Sequence, residues 1–162
     1  MSIEFTASEL LRMAIQVEES GIRFYQTAAQ KVRLERPRRL LLDLAEREKE
    51  HLETFTSMLD SLVPAEKDSQ TYDPDGQAAL YLSALADEQV FPRADPVALL
   101  GAKPSHESVL RTALGLEKES IVFYAGLRQM VPEKLGRNRV DDVLKEEMRH
   151  VTILRQELAR AV

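Results

Sequence analysis

The strongest constraint on the fold of this chain is an internal repeat at an offset of 99 residues, the separation of His51 and His150. The segments "AIQVEESGIRFY" (14–25) and "ALGLEKESIVFY" (113–124) align without a gap, and so do "EREKEH" (46–51) and "KEEMRH" (145–150). Two copies of one structural unit usually pack about a pseudo-twofold axis. Matching residues of the two halves are therefore expected to face one another.

Each copy reads as a helical hairpin, because its apolar residues recur at intervals of three and four. No segment alternates with the period of two that indicates a strand, so the fold class predicted is all-α. Caps and prolines set the expected helix ends. In chain order these are Thr6 and Glu9 as a capping box before a helix over about 7–34, Pro37 in the first turn of the second helix, Pro64 after it, Ser105 as the cap of the third, Pro132 after it and a fourth helix from about Asn138.

The two hairpins, over 6–62 and 105–160, are separated by an insert over 63–104. Its segment "GQAALYLSALADEQV" predicts one more helix, capped by Asp73 or Asp75. The insert is long enough to run the length of a helical bundle as a crossover, or it caps one end of a simple up-down bundle. At 162 residues, we expect a single domain over 1–162.

Each of the four main helices carries a glutamate on its apolar face, and two of these glutamates are followed one turn later by a histidine. The six residues are Glu18, Glu48, His51, Glu117, Glu147 and His150. No Lys or Arg accompanies them on those faces, so four carboxylates would be buried without a compensating charge. Two divalent metal ions would balance four carboxylates and two neutral imidazoles.

The spacing supports a dimetal centre. A glutamate three residues before a histidine places both side chains on one helix face. A single pair of this kind is more often a solvated surface pair, but here it occurs twice in register. The two remaining glutamates each precede the motif glutamate of their own half by 30 residues, which places all six candidate ligands at one level of the bundle.

Several residues near these candidate ligands are not assigned as ligands. Tyr25 and Tyr124, seven residues after the first glutamate of each half, are expected to be core aromatics that hydrogen-bond a nearby carboxylate and support the chemistry of the site. His106 is expected at the surface. Glu147 rather than Glu146 is assigned as a ligand, since Glu146 aligns with Arg47. Five flanking acids are expected to face solvent or neighbouring helices: Glu19, Glu46, Glu50, Glu53 and Glu146.

Composition removes several classes of function. With 22 Lys and Arg against 27 Asp and Glu, and no basic block, nucleic-acid binding is not expected. No apolar run is long enough for a membrane span, and the opening "MSIEFTASEL" lacks the pattern of a secretory signal, so we expect a cytoplasmic protein. The chain has no cysteine, so any metal must be held by oxygen and imidazole ligands.

The repeated segments resemble the diiron-carboxylate proteins of the ferritin-like superfamily, and particularly its rubrerythrin branch, over about 6–62 and 105–158. The resemblance implies an antiparallel four-helix bundle with a long crossover. It also implies that Glu18 and His51 bind one iron and that Glu117 and His150 bind the other. The two glutamates that precede the histidines by three residues, Glu48 and Glu147, would bridge the pair. Many peroxidase relatives carry another carboxylate where this chain has Ser120, which argues against a mechanism that moves the metal. Those relatives also append a rubredoxin domain with a cysteine-bound iron, whereas this sequence has no cysteine.

Two classes of function follow from the resemblance. The first is an oxidoreductase that reduces peroxide or dioxygen at two iron ions, with electrons from a separate donor. The second is an iron-binding or ferroxidase protein for iron storage or handling. Storage would require a hollow oligomeric shell, whereas we expect a homodimer. A third alternative is a scaffold in which metal serves stability only, and manganese or zinc could replace iron in any of the three.

Overall fold

The computed structural model of the protein describes residues 5–67, 73, 75–87 and 95–161. Within these residues the secondary structure is helical and contains no β-strand element, which confirms the all-α prediction. The α-helices are α1 (Ala7–Lys31), α2 (Glu35–Asp60), α3 (Pro64–Lys67), α4 (Gln77–Asp87), α5 (His106–Met130) and α6 (Arg137–Arg160). Two 3₁₀-helices span Pro96–Leu100 and Glu133–Leu135.

The helix starts follow the capping residues closely. The Thr6 side chain accepts a hydrogen bond from the Glu9 backbone N–H, and the Glu9 side chain completes the capping box. Ser105 caps α5 in the same position of the second half by accepting from the Ser108 backbone N–H. Pro37 lies in the first turn of α2, as predicted.

Two helix ends differ from the prediction. The first helix ends at Lys31 rather than near residue 34, because the backbone of Val32 turns extended while its N–H still bonds to the Ala28 carbonyl. The second helix ends at Asp60, before Pro64, and that proline instead begins the short helix α3. Apolar periodicity continues through both ends, since Val32 and Leu62 are buried, so the pattern alone did not mark them.

The four long helices form a bundle, and the residues in its two apolar clusters show in which direction each helix runs. One apolar cluster contains the start of α1, the end of α2, the end of α5 and the start of α6. The other contains the opposite end of each of these four helices. Helices α1 and α5 therefore run antiparallel, and so do α2 and α6. The first hairpin finishes at one end of the bundle and the second begins at the other.

The insert spans that distance, so it is a crossover rather than an end cap. Within the insert, Asp73 caps α4 by accepting hydrogen bonds from the Ala78 and Ala79 backbone N–H groups, so Asp73 rather than Asp75 is the cap. Leu82 of α4 is buried in the first cluster, and Leu100 is buried in the second. The predicted helix extends to 90, but residues 88–90 lie outside the described part of the chain.

Candidate metal centre

The six candidate ligands meet in the middle of the bundle, between the two apolar clusters. Helices α1 and α5 each supply one glutamate, and α2 and α6 each supply a glutamate and a histidine. All are buried, with an exposed fraction between 0 and 4%: Glu18 0%, Glu48 4%, His51 3%, Glu117 3%, Glu147 0% and His150 3%. The helical spacing that makes the apolar faces also turns these polar residues inward.

Their ligand atoms fall into two groups of four. One group is Glu18, Glu48, His51 and Glu147, and the other is Glu48, Glu117, Glu147 and His150. Within each group one oxygen or nitrogen atom per residue lies within 4.8 Å of all the others. The two groups share Glu48 and Glu147, so the geometry is that of two adjacent cation positions with two carboxylates in common.

The two histidines stack across the pseudo-twofold axis, with ring centroids 5.6 Å apart and planes inclined by 22°. Each directs its Nδ1 atom at carboxylates. His51 Nδ1 lies 3.3 Å from Glu147 Oε1 and 3.6 Å from Glu18 Oε2. His150 Nδ1 lies 3.2 Å from Glu147 Oε2 and 3.3 Å from Glu48 Oε1. Glu147 therefore stands between the two imidazoles.

The polar atoms of these residues fit a metal centre because six of them are buried without a hydrogen-bond partner. Buried polar atoms in folded proteins are nearly always hydrogen-bonded. Among the described residues, the buried atoms without a hydrogen-bond partner all belong to the two groups: Glu18 Oε2, Glu48 Oε1, His51 Nδ1, both carboxylate oxygens of Glu147 and His150 Nδ1. A set of carboxylate oxygens and imidazole nitrogens suits divalent iron, manganese or zinc. The residues present therefore fit a pair of such ions.

In the metal-free protein, the burial of these polar groups also shifts their pKa values. Burial, together with the neighbouring carboxylates, raises the pKa of Glu48 and Glu147 well above the usual range. Burial also raises the pKa of Glu18 to about 7. Burial alone would lower the pKa of His150, but the carboxylates around it raise that pKa to about 12. Without metal, this core holds protons where it could hold cations.

Two tyrosines connect the halves of the site. The Tyr25 hydroxyl of α1 donates to Glu117 Oε1 of α5, and the Tyr124 hydroxyl of α5 donates to Glu18 Oε1 of α1. Each tyrosine thus holds one carboxylate oxygen of the opposite half. For Glu18 this leaves Oε2 without a hydrogen-bond partner and free to face the centre.

Glu146 is the residue that the sequence interpretation missed. Its alignment with Arg47 indicated a position away from the site, yet Glu146 Oε2 lies 3.4 Å from His51 Nε2. Its side chain is 36% exposed and borders a cavity of about 240 Å³ beside His51. A carboxylate on the outer nitrogen of a metal-binding histidine fixes the orientation and tautomer of the ring. Arg47 cannot accept such a bond and instead pairs with Glu50.

The other flanking residues lie close to where the sequence placed them. Four of the acids expected outside the site are exposed on α1 or α2: Glu19, Glu46, Glu50 and Glu53. Glu119 is likewise exposed on α5, and Ser120 is partly buried. His106 is only partly buried and forms the first residue of α5, away from the two ligand groups.

Comparisons with known proteins agree with this architecture. The family model described as Rubrerythrin matches residues 9–158. A crystal structure of a Thermotoga maritima protein described as a ferritin-like diiron-carboxylate protein aligns with a TM-score of 0.68 and 23% identity, covering 98% of each chain. That likeness confirms the predicted ferritin-like fold. No curated protein sequence gives a significant match. Within the described residues, no helix has the length and apolar character needed to cross a membrane.

Proposed function

The chain belongs to the rubrerythrin family, and on that premise we propose that its buried centre holds two iron ions and reduces hydrogen peroxide or dioxygen with electrons from a separate donor. The observation that carries the proposal is the pair of four-residue groups that share Glu48 and Glu147. A centre for one ion would need only one such group. A purely structural polar core would have its buried atoms hydrogen-bonded to one another.

In this proposal each half of the chain supplies one set of terminal ligands. Glu18 and His51 would hold one iron, Glu117 and His150 would hold the other, and the two shared glutamates would contribute to both. Four carboxylates neutralise the charge of two divalent ions, so the loaded core carries no net charge from these groups. Anionic oxygen ligands also favour ferric over ferrous iron, which suits a centre that gives up electrons.

When bound as ferrous ions, the pair would supply the two electrons that, with two protons, convert one hydrogen peroxide to two waters. The chain's own residues would prepare the place for this reaction. Tyr25 and Tyr124 orient the two terminal carboxylates through their hydroxyl groups. Glu146 Oε2 lies beside His51 Nε2, and in the loaded centre it would accept the hydrogen of that nitrogen, so that Nδ1 would face the metal unprotonated. The apolar clusters on either side exclude bulk water.

Metal analysis of a matched pair of variants tests the centre. The protein reconstituted with ferrous iron should contain two irons per chain, and Glu48→Gln should lower that number because it removes a shared anionic ligand. Glu53→Gln is the control, since Glu53 is an exposed glutamate of the same helix. If Glu48→Gln retained two irons, the ligand assignment would be wrong.

Turnover tests the reaction separately. Peroxide added to the reduced, iron-loaded protein should be consumed with the appearance of ferric absorbance, and a chemical reductant should restore the starting spectrum. A protein that binds two irons but consumes neither peroxide nor dioxygen would retain the metal assignment and refute the oxidoreductase proposal.

A further inference from the structure

Gly21 occupies the middle of α1, where a glycine lowers helix stability relative to alanine. Its backbone gives no reason for a glycine. Among the described glycines, those with a positive φ angle are Gly76, Gly101 and Gly136. Gly21 follows Glu18 by three residues and so lies one turn along the same face of the helix. The reason for a glycine must therefore lie in what this face contacts.

The contact is Glu48. A Cβ atom built on Gly21 would lie 3.0 Å from Glu48 Oε2, 3.4 Å from Glu48 Cγ and 3.5 Å from Glu48 Cδ. The first of these distances is shorter than ordinary van der Waals contact. With any side chain at position 21, the Glu48 carboxylate would have to move away from α1, and it is already buried among other ligand groups.

The position of Glu48 is asymmetric with respect to its repeat partner. Glu147 lies 3.3 Å from one histidine and 3.2 Å from the other. Among the ion pairs of the described residues, Glu48 contacts His150, at 3.3 Å, but not His51. The repeat counterpart of Gly21 is Ser120, which does have a Cβ atom. The two carboxylates shared by the ligand groups are therefore held differently.

We propose that Gly21 is a positioning residue of the metal centre: the absence of a side chain lets Glu48 lie against α1 and so makes the two shared carboxylates inequivalent. The inference rests on the proposed dimetal site. A Cβ atom at this distance would push the Glu48 carboxylate by a few tenths of an ångström, which is comparable to the roughly 0.5 Å within which functional constellations must be held. A displacement of the Glu48 carboxylate by a Cβ atom should therefore weaken the binding of the second ion, for which both shared carboxylates must be in place.

Manganese(II) titration by calorimetry, with electron paramagnetic resonance of the loaded protein, tests this role through binding rather than activity. Gly21→Ala should weaken the second manganese by about tenfold or more and alter the coupled two-manganese signal. The matched control is Gly115→Ala, in the middle of α5, where a Cβ atom would meet nothing within 4 Å. This control should bind both ions as the unchanged protein does. Equal manganese affinities in Gly21→Ala and the unchanged protein would overturn the proposal.

Thermal unfolding of the metal-free variants separates this inference from the metal assignment. Gly115→Ala should raise Tm by roughly 2 °C through helix propensity, whereas Gly21→Ala should not, because its Cβ meets Glu48. In a Glu48→Ala background, Gly21→Ala should recover the increase. A protein that binds no manganese would refute the metal centre, yet the Tm comparison would still decide whether Gly21 makes room for Glu48. An increase for Gly21→Ala equal to that for Gly115→Ala would refute that role.

Discussion

Each half of the chain supplies the tyrosine that holds a carboxylate of the other half. Tyr124 donates to Glu18, and Tyr25 donates to Glu117, so α1 and α5 are joined by two reciprocal hydrogen bonds in a dry core. Both carboxylates that accept these hydrogen bonds are buried, so water cannot take the place of a tyrosine hydroxyl that a substitution removes. A single tyrosine therefore affects both the stability of the bundle and the orientation of a candidate ligand.

Tyr124→Phe tests this coupling. The variant leaves Glu18 Oε1 without its donor, which should lower the free energy of unfolding by about 1–3 kcal/mol. Tyr81→Phe is the control, because the Tyr81 hydroxyl donates to the Val122 carbonyl from a side chain that is 39% exposed, so solvent can replace that bond. Urea unfolding of both variants measures the difference. Similar losses in the two would show that the buried bond contributes no more than the exposed one.

The meeting of the six residues in one layer was predictable because periodicity and repetition both apply to them. Each of the six proposed ligands has a repeat counterpart and an inward helical position, so spacing alone could bring them together. Glu146 and Gly21 could not be found in this way, because their counterparts are Arg47 and Ser120. Their roles depend on how closely particular helices approach, and that distance is set by the packing of the whole core rather than by any local pattern.

At the scale of elements, the helix starts were predictable, and so were the ends of α5 before Pro132 and of α6 at Arg160, whereas the end of α1 was not. Thr6 and Ser105 cap backbone N–H groups through side chains that the sequence displays directly. No such signal marks Lys31 as the last residue of α1, since Val32 continues the apolar pattern and is buried. The 3₁₀-helix Pro96–Leu100 was also not anticipated. It ends the crossover where Leu100 enters the core, a contact between segments far apart in sequence.

The crossover helix α4 depends on a glycine of α5. A Cβ atom at Gly126 would lie 2.7 Å from two ring carbons of Tyr81 and 3.0 Å from Leu82 Cδ2. Leu82 is fully buried, so α4 cannot easily shift to relieve the overlap. We expect Gly126→Ala to destabilise the protein by about 1–3 kcal/mol through overpacking, despite its better helix propensity.

Hydrogen exchange localises this effect. Backbone amides of residues 77–84 should exchange faster in Gly126→Ala, because α4 loses its close contact with α5, while amides around the ligand groups keep their protection. The control is Gly115→Ala, which adds the same methyl group to α5 in open space. Unchanged exchange in α4 would mean that its docking does not depend on the absence of a side chain at position 126.

For the whole molecule, the repeat sets the topology but also brings like charges together. Two hairpins related by a pseudo-twofold axis bring their matching glutamates into one layer, where, among the described ion pairs, only the two histidines oppose four carboxylates. Burial and neighbouring carboxylates raise the pKa of Glu48 and Glu147, and burial raises that of Glu18 from 4.5 to about 7. A carboxylate with a raised pKa in the fold contributes less stability as pH rises from its unfolded value through its folded one.

The histidines act in the same direction. Despite its burial, the pKa of His150 rises from 6.5 to about 12 because of the carboxylates that contact it. A histidine whose pKa is raised by folding stabilises the protein fully below 6.5, and this contribution is lost as pH rises toward the folded value. The metal-free protein should therefore become less stable between about pH 5 and pH 8, opposite to the usual behaviour of paired surface carboxylates.

Metal should reverse this dependence, since the ligands must lose their protons before they bind cations. We expect the metal-free Tm to fall between about pH 5.5 and pH 7.5, and the increase in Tm on adding manganese(II) to be larger at the higher pH. Glu147→Gln should reduce both effects, because it removes a carboxylate common to the two ligand groups. Glu53→Gln should reduce neither. A metal-free Tm that rose across this range would mean that the glutamates of this layer are ionised and compensated by protein groups, and the charge argument for two bound cations would then fail.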